Sequence, residues 1–205
     1  MSLEIECKLY IPSLATIQTH LAQRGATLTH PRTYEHNIRY EGPNGDFAAR
    51  HIVLRLRRDQ DIRLTYKAPA TQLSEGMITR LELETTIGDF ETMDNILLHL
   101  GYQHGMVYEK YRTTYALLNV PEVEVVVDEM PYGNFLEVEG TPEGIETALA
   151  QLGLTDMPRI IVGYVDLFEL LRNRYQFTFR DLTFQNFSGL EIDPQIFVPP
   201  HKRES

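Results

Sequence analysis

The sequence predicts an α+β chain built on a closed antiparallel β-barrel with helices packed outside it. Three observations carry that expectation. Most of the chain divides into short segments in which charged and apolar residues alternate with the period of two that belongs to strands. Segments with helical spacing are few, and each is about three turns long or less. Nearly every alternating segment bears two charges two residues apart, often of one sign, and like charges side by side on a merely solvated face repel. A barrel resolves this, because edgeless strands turn one face outward against helices and the other into a lumen where counter-charges gather.

The elements follow in order. Glu4–Leu9 places Glu4, Glu6 and Lys8 on one face and Ile5, Cys7 and Leu9 on the other, which reads as a strand. Pro12 and Ser13 introduce a helix over Leu14–Arg24, with Leu14, Ile17 and Leu21 in helical phase and Gly25 as its stop. The apolar and aromatic run Thr33–Tyr40 ends at the turn Gly42-Pro43-Asn44-Gly45. Ile52–Arg58, with Arg55 and Arg57 in phase, and Ile62–Lys67, with Arg63, Thr65 and Lys67 in phase, form a hairpin. Past Ala68-Pro69-Ala70, Ile78–Ile87 shows Arg80, Glu82 and Glu84 together. Asp89 caps a helix over Phe90–Leu100 that stops at Gly101. Two strands follow, Val107–Leu117 with Lys110, Arg112 and Thr114 in phase and Val123–Met130 with Glu124, Val126 and Asp128 in phase, separated by Pro121. The turn Pro131-Tyr132-Gly133-Asn134 leads into Phe135–Glu139, presenting Glu137 and Glu139. A helix starts at Thr141-Pro142 and runs to Leu152. From Val165 an apolar helical stretch reaches Leu171, and the aromatic run Tyr175–Phe184 reads as a strand that covers a barrel end or meets a second copy; residues 199–205 read as a frayed tail.

Composition narrows the function classes. The 205 residues fit one domain of residues 1–172 with a C-terminal extension over 173–205. No run approaches the roughly 20 apolar residues of a spanning helix, and charged residues begin at Glu4, so a soluble cytoplasmic protein is expected, with no membrane partner. The net charge of -10 argues against nucleic acid as a partner. Cys7 has no cysteine to pair with and reads as packing, the seven histidines lack metal-ligand spacing, and no P-loop occurs.

A solvated sheet face explains any single alternating strand. Taken jointly, the strands set Lys8, Arg55, Arg57, Arg63, Lys67, Arg80, Lys110 and Arg112 against Glu4, Glu6, Glu82, Glu84, Glu124, Asp128, Glu137 and Glu139. Guanidinium and ammonium groups suit phosphate oxygens, while clustered carboxylates suit Mg²⁺ or Mn²⁺ bridging those oxygens. Together they describe a metal-triphosphate site.

Glu4-Ile5-Glu6-Cys7-Lys8 resembles the defining Glu-x-Glu-x-Lys of the CYTH family, the triphosphate tunnel metalloenzymes, which include class IV adenylate cyclases, thiamine triphosphatases and inorganic triphosphatases. Further matches fall in the family's order: Arg55-Leu56-Arg57, Lys67 before Ala68-Pro69, Arg80 to Glu84, Lys110-Tyr111-Arg112, Asp128 and Gly133 to Glu139. The resemblance covers Glu4 to about Tyr164, and His36 to Tyr40 depart from the Tyr-Phe-Asp run of many members, leaving Arg39 without an assigned role. It implies an eight-stranded tunnel and a small-molecule triphosphate substrate, and permits a homodimer. It assigns Lys8, Arg55, Arg57, Lys67, Arg80, Lys110 and Arg112 to the phosphates. It assigns Glu4, Glu6, Glu137 and Glu139 to Mg²⁺ or Mn²⁺, with Asp128, Glu82 and Glu84 as further ligands or water-positioning groups. The chemistry expected is attack of water on the terminal phosphorus, with Glu139, Glu137 and Lys8 as the catalytic groups. Cyclisation of ATP to cyclic AMP and diphosphate, and metal-dependent binding without turnover, are the alternatives the same residues allow.

Overall fold

A computed structural model of the chain describes residues 2–74 and 76–197. The first strand, β1 (Ser2–Ile11), is followed by α1 (Leu14–Gln23), β2 (Ala26–Glu41), β3 (Val53–Arg58), β4 (Ile62–Lys67), β5 (Thr71–Ser74) and β6 (Met77–Thr86). Then come α2 (Phe90–His99), β7 (Gln103–Leu117), β8 (Val120–Met130), β9 (Gly133–Glu139), α3 (Pro142–Leu152), β10 (Arg159–Ile160) and α4 (Tyr164–Tyr175). A 3₁₀ turn over Pro194–Phe197 ends the described chain.

All strand pairings are antiparallel, and the hydrogen-bonded order β1-β9-β8-β7-β2-β3-β4-β6 returns to β1 through a β1–β6 pairing, so eight strands form a closed ring. The closing register sets Glu4 opposite Arg80 and Glu6 opposite Ile78. β5 extends β6 and β10 extends β1 outside the ring. Closure leaves the ring no open edge and gives every strand an inner and an outer face, as the alternation requires.

Helices cover the outer faces. Ser13 caps α1 by accepting from the Thr16 N–H, Asp89 caps α2 through Thr92, and Thr141 caps α3 through Gly144. Pro142 occupies the first turn of α3, and Gly153 ends it in the left-handed conformation at φ 67°. Ile17 and Leu21 of α1 and Ile145, Leu149 and Leu152 of α3 pack on Cys7, Leu9, Val125, Leu136 and Val138, the outward residues of β1, β8 and β9. A smaller core joins Phe90 and Leu97 of α2 to Ile38, Tyr40 and Leu56. A third joins α4 and residues up to Phe197 to Tyr108, Met130, Tyr132 and Phe135, closing part of one barrel end.

Two local expectations are corrected. Pro121 lies inside β8 rather than between strands: the β7–β8 turn is at Leu118-Asn119, and the register slips between Leu117/Val120 and Ala116/Glu124. Proline, lacking an N–H, fits such an irregularity without breaking the ladder. Tyr175–Phe184 is no strand. Its only ladder contact is an isolated parallel bridge from Leu182 to Tyr108, and Tyr175, Phe177 and Phe179 instead stack ring on ring at 5.4 and 4.8 Å. Aromatic alternation here packs one cluster, which needs no ladder partner. The boundary expected after residue 172 falls within α4, and residues 199–205 lie outside the described part. No helix among the described residues is long and apolar enough to cross a membrane.

Candidate active site in the barrel lumen

The alternating strands aim their charged faces inward, and the lumen is a cavity of about 1090 Å³. Its lining runs from Arg63, Glu124 and Glu139 at one end to Arg39, Gly105 and Asp166 at the end that α4 partly covers.

Nearest the β1–β9 seam, Glu6 pairs in register with Glu139, and one oxygen each of Glu4, Glu6 and Glu139 lies within 4.8 Å of the others. Cations surround this group. Lys67 Nζ lies 2.8 Å and Arg80 Nε 2.8 Å from the Glu4 carboxylate, and Lys8 Nζ lies 3.3 Å from Glu6. Burial alone raises the Glu4 carboxyl, yet Lys67 and Arg80 hold it far below the usual carboxylate range. Glu139 differs. Burial pushes its carboxyl up to about 7, with Arg112 opposing and the neighbouring Glu137, Glu4 and Glu6 charges adding to the rise.

Deeper in the lumen, Glu137 accepts from Arg112 Nη2 at 2.7 Å and lies 3.1 Å from Lys8 Nζ. Asp128 is fully buried and accepts four hydrogen bonds, two from Arg112 at 2.8 and 2.6 Å, one from Lys110 at 2.9 Å and one from the Tyr164 hydroxyl at 3.0 Å. The opposite wall joins Arg55, Arg57 and Arg63 to Glu84 at 3.5–3.7 Å, while Lys67 lies 2.9 Å from Glu82. All the site residues expected from the sequence therefore line or border one lumen. Glu4, Glu6 and Glu139 converge on a point; Glu137 and Asp128 are held by cations beside it, and Glu82 and Glu84 lie on the β6 wall.

Glu35, Asn37, Tyr108 and Tyr164 are among the lumen residues without a role in the sequence reading. Glu35 is buried among Arg57, Lys110 and Arg112, at 3.6 to 3.9 Å from each. Asn37, wholly buried two residues on, has neither amide atom bonded. Tyr108 accepts from Arg55 Nη1 at 3.0 Å. Tyr108 sits in phase with Lys110 and Arg112, and Glu35 and Asn37 share one phase of β2, so period two carries a signal for all three. Tyr164 has no such signal: it enters from α4, and its ring lies 4.5 Å below Lys8 Nζ.

The carboxylate trio offers hard oxygen donors, without imidazole or thiolate, which fits Mg²⁺ or Mn²⁺. Arg55 Nε, buried and without a hydrogen-bond partner, is a donor left for an anion.

Comparison with known proteins agrees with this architecture. The CYTH domain model matches residues 2–154. A Methanocaldococcus jannaschii protein provisionally assigned as an adenylate cyclase is 28% identical over 139 residues, covering 67% of this chain and 76% of its own. The Pyrococcus horikoshii protein PH1819 superposes with a TM-score of 0.66 at 25% identity, over 82% of this chain and 99% of that one. A Hippeastrum protein, provisionally assigned as an adenylyl cyclase and described as having a dominant triphosphatase activity, has a TM-score of 0.63 at 18% identity, over 82% and 95%. With its motifs spread in order around one closed eight-stranded ring, the chain belongs to the CYTH domain family.

Proposed function

We propose that the lumen binds a triphosphate together with Mg²⁺ or Mn²⁺ and hydrolyses its terminal phosphoanhydride. The convergence of Glu4, Glu6 and Glu139 beside Lys8, Arg80 and Arg112 is the observation that supports this most directly. Lys8, Arg55, Arg57, Lys67, Arg80, Lys110 and Arg112 grip phosphate oxygens, exchanging part of their carboxylate contacts for them. Glu4, Glu6 and Glu139 would hold the cation, which when bound would supply charge to neutralise phosphate oxygens and lower the pKa of water.

The chain's own groups do the rest. Water attacks the terminal phosphorus, the bridging P–O bond breaks, and orthophosphate and diphosphate leave. Glu139, or Glu137 beside it, orients the water and takes its proton, while Lys8 and Arg112 stabilise charge on the transferred group. Asp128, saturated by four donors, acts as a positioning residue that holds Lys110 and Arg112 in place. The Glu82 and Glu84 carboxylates set the β6 wall and provide further ligands. The substrate is a small molecule met in the cytoplasm, a reading supported by the net charge of -10, which disfavours nucleic acid. A homodimer is not required, since one chain supplies the whole trio.

Cyclisation of ATP is the second reading, favoured by the name given to the M. jannaschii relative. It uses the same lumen but requires the ribose 3′-hydroxyl at the α-phosphorus. Incubation with tripolyphosphate, thiamine triphosphate and ATP, each with Mg²⁺ or Mn²⁺, separates the readings. Orthophosphate release supports hydrolysis, cyclic AMP with diphosphate supports cyclisation, and tight binding without product defines a non-catalytic module.

A further inference from the structure

We propose that Arg39 forms a further anion subsite at the lumen end partly covered by α4, taking a fourth phosphoryl group joined to the triphosphate in the tunnel. The inference rests on the triphosphate reading of the lumen and extends it to a longer chain.

Arg39 stands on the inner face of β2, in phase with Glu35 and Asn37, and lines the cavity. Every other cation that the ring strands carry into the lumen has a carboxylate at ion-pair distance. Arg39 has none among the described residues. Burial weakens its hold on the proton, Tyr108 and Asp166 offset this only at longer range, and the like charges of Arg55 and Arg80 add to it. A guanidinium kept in a partly dry lumen without a counter-ion is costly, and a phosphoryl dianion supplies one.

The neighbours favour the same ligand. Arg55 lies directly opposite Arg39 in the β2–β3 register, and its buried Nε has no hydrogen-bond partner. A phosphoryl group lodged between the two therefore meets donors from both. Arg180 borders the same mouth, donating to the Gly105 carbonyl at 3.4 Å, beside the β7 residue paired with Arg39. Three carboxylates also face this mouth, but Glu41 accepts from the Gly42, Phe47 and Ala48 N–H groups, Asp166 accepts from the Gly163 N–H at 3.2 Å and Glu169 is held by Arg172 at 2.8 Å.

Calorimetry without divalent ions, where nothing turns over, reads the subsite directly. Tripolyphosphate, tetrapolyphosphate and adenosine 5′-tetraphosphate are titrated into wild type, Arg39→Ala and Arg39→Lys. Wild type should prefer tetrapolyphosphate to tripolyphosphate by roughly ten-fold, the worth of one charge-assisted contact. Arg39→Ala should lose that preference while its tripolyphosphate affinity stays unchanged, and Arg39→Lys should recover part of it. The same Arg39 dependence for adenosine tetraphosphate assigns the subsite to nucleotides as well as inorganic chains; its absence confines the subsite to inorganic chains. A thermal melt shows whether Arg39→Ala is folded, and removing an unpaired charge should leave its midpoint no lower. Equal affinity of wild type for the tri- and tetraphosphate chains, or equal loss of both in Arg39→Ala, overturns the inference. Absence of tripolyphosphate binding overturns instead the triphosphate reading on which it rests.

Discussion

Arg112 clasps Asp128 with two nitrogens, Nε at 2.8 Å from Oδ1 and Nη2 at 2.6 Å from Oδ2, at a site from which solvent is wholly excluded on the carboxylate side. Lys110 and Tyr164 complete the shell, so one carboxylate organises two cations and joins α4 to the barrel wall. Removing it strands charges in a low-dielectric interior. Asp128→Ala should therefore cost about 3–5 kcal/mol in denaturant unfolding. A loss under 1 kcal/mol would show that the cluster relaxes or floods with water.

The same residue sets an acid limit. Burial would raise the Asp128 carboxyl, but Arg112 and Lys110 hold it far below its ordinary value. A carboxylate depressed on folding contributes stability that is present above the unfolded pKa of about 4 and is lost as pH falls through lower values. Unfolding free energy should thus drop steeply below about pH 4, and Asp128→Asn should flatten that slope. An identical acid slope in the variant would place the acid sensitivity elsewhere.

Tyr164 separates two roles in one side chain. Its hydroxyl donates to Asp128 at 3.0 Å, while its ring lies 4.5 Å from Lys8 Nζ. Tyr164→Phe keeps the ring and should cost about 1.5–3 kcal/mol, the range for a hydrogen bond to a charged group. Tyr164→Leu, which also loses the cation–π contact, should cost a further 1 kcal/mol or so. Equal losses in the two variants, read from urea unfolding, would assign the whole effect to the hydroxyl.

Much of the barrel was legible because period two is a strict signal. Glu4, Glu6 and Lys8 share a face by chain geometry alone, and the structure turns that face inward. Inward phase also marks Tyr108, two residues before Lys110 on β7, whereas on β2 the aromatic and apolar residues dominate the pattern and mask the polar phase of Glu35 and Asn37. Tyr164 was beyond reach. A helix residue that enters a lumen depends on where α4 docks, which is set by contacts such as Phe168 with Phe179 and Phe187 in the far C-terminal segment. Pro121 and Tyr175–Phe184 misled for one shared reason: local chemistry marks a break or an alternation, and only tertiary partners decide whether a ladder forms there. The convergence of Glu4 and Glu6 with Glu139 likewise comes from the β1–β9 pairing, between residues more than a hundred positions apart.

A divalent cation should stabilise the folded chain through that convergence. Saturating Mn²⁺ or Mg²⁺ should raise the thermal midpoint by several degrees, since a ligand that binds only the native state adds its binding free energy to folding. Glu6→Gln should remove most of that shift, as it takes one of three converging carboxylates. A full shift in this variant would move the metal site elsewhere in the lumen.

The central claim is that the carboxylate trio and the cations around it cleave a phosphoanhydride. Phosphorus NMR of tripolyphosphate with Mn²⁺ or Mg²⁺, comparing wild type with Glu139→Gln, tests it most directly. The expected result is orthophosphate and diphosphate in equal amounts from wild type, with turnover reduced by at least about 100-fold in the variant while tripolyphosphate still binds. Unchanged tripolyphosphate resonances with wild type under both metals, or full turnover in Glu139→Gln, would contradict the claim.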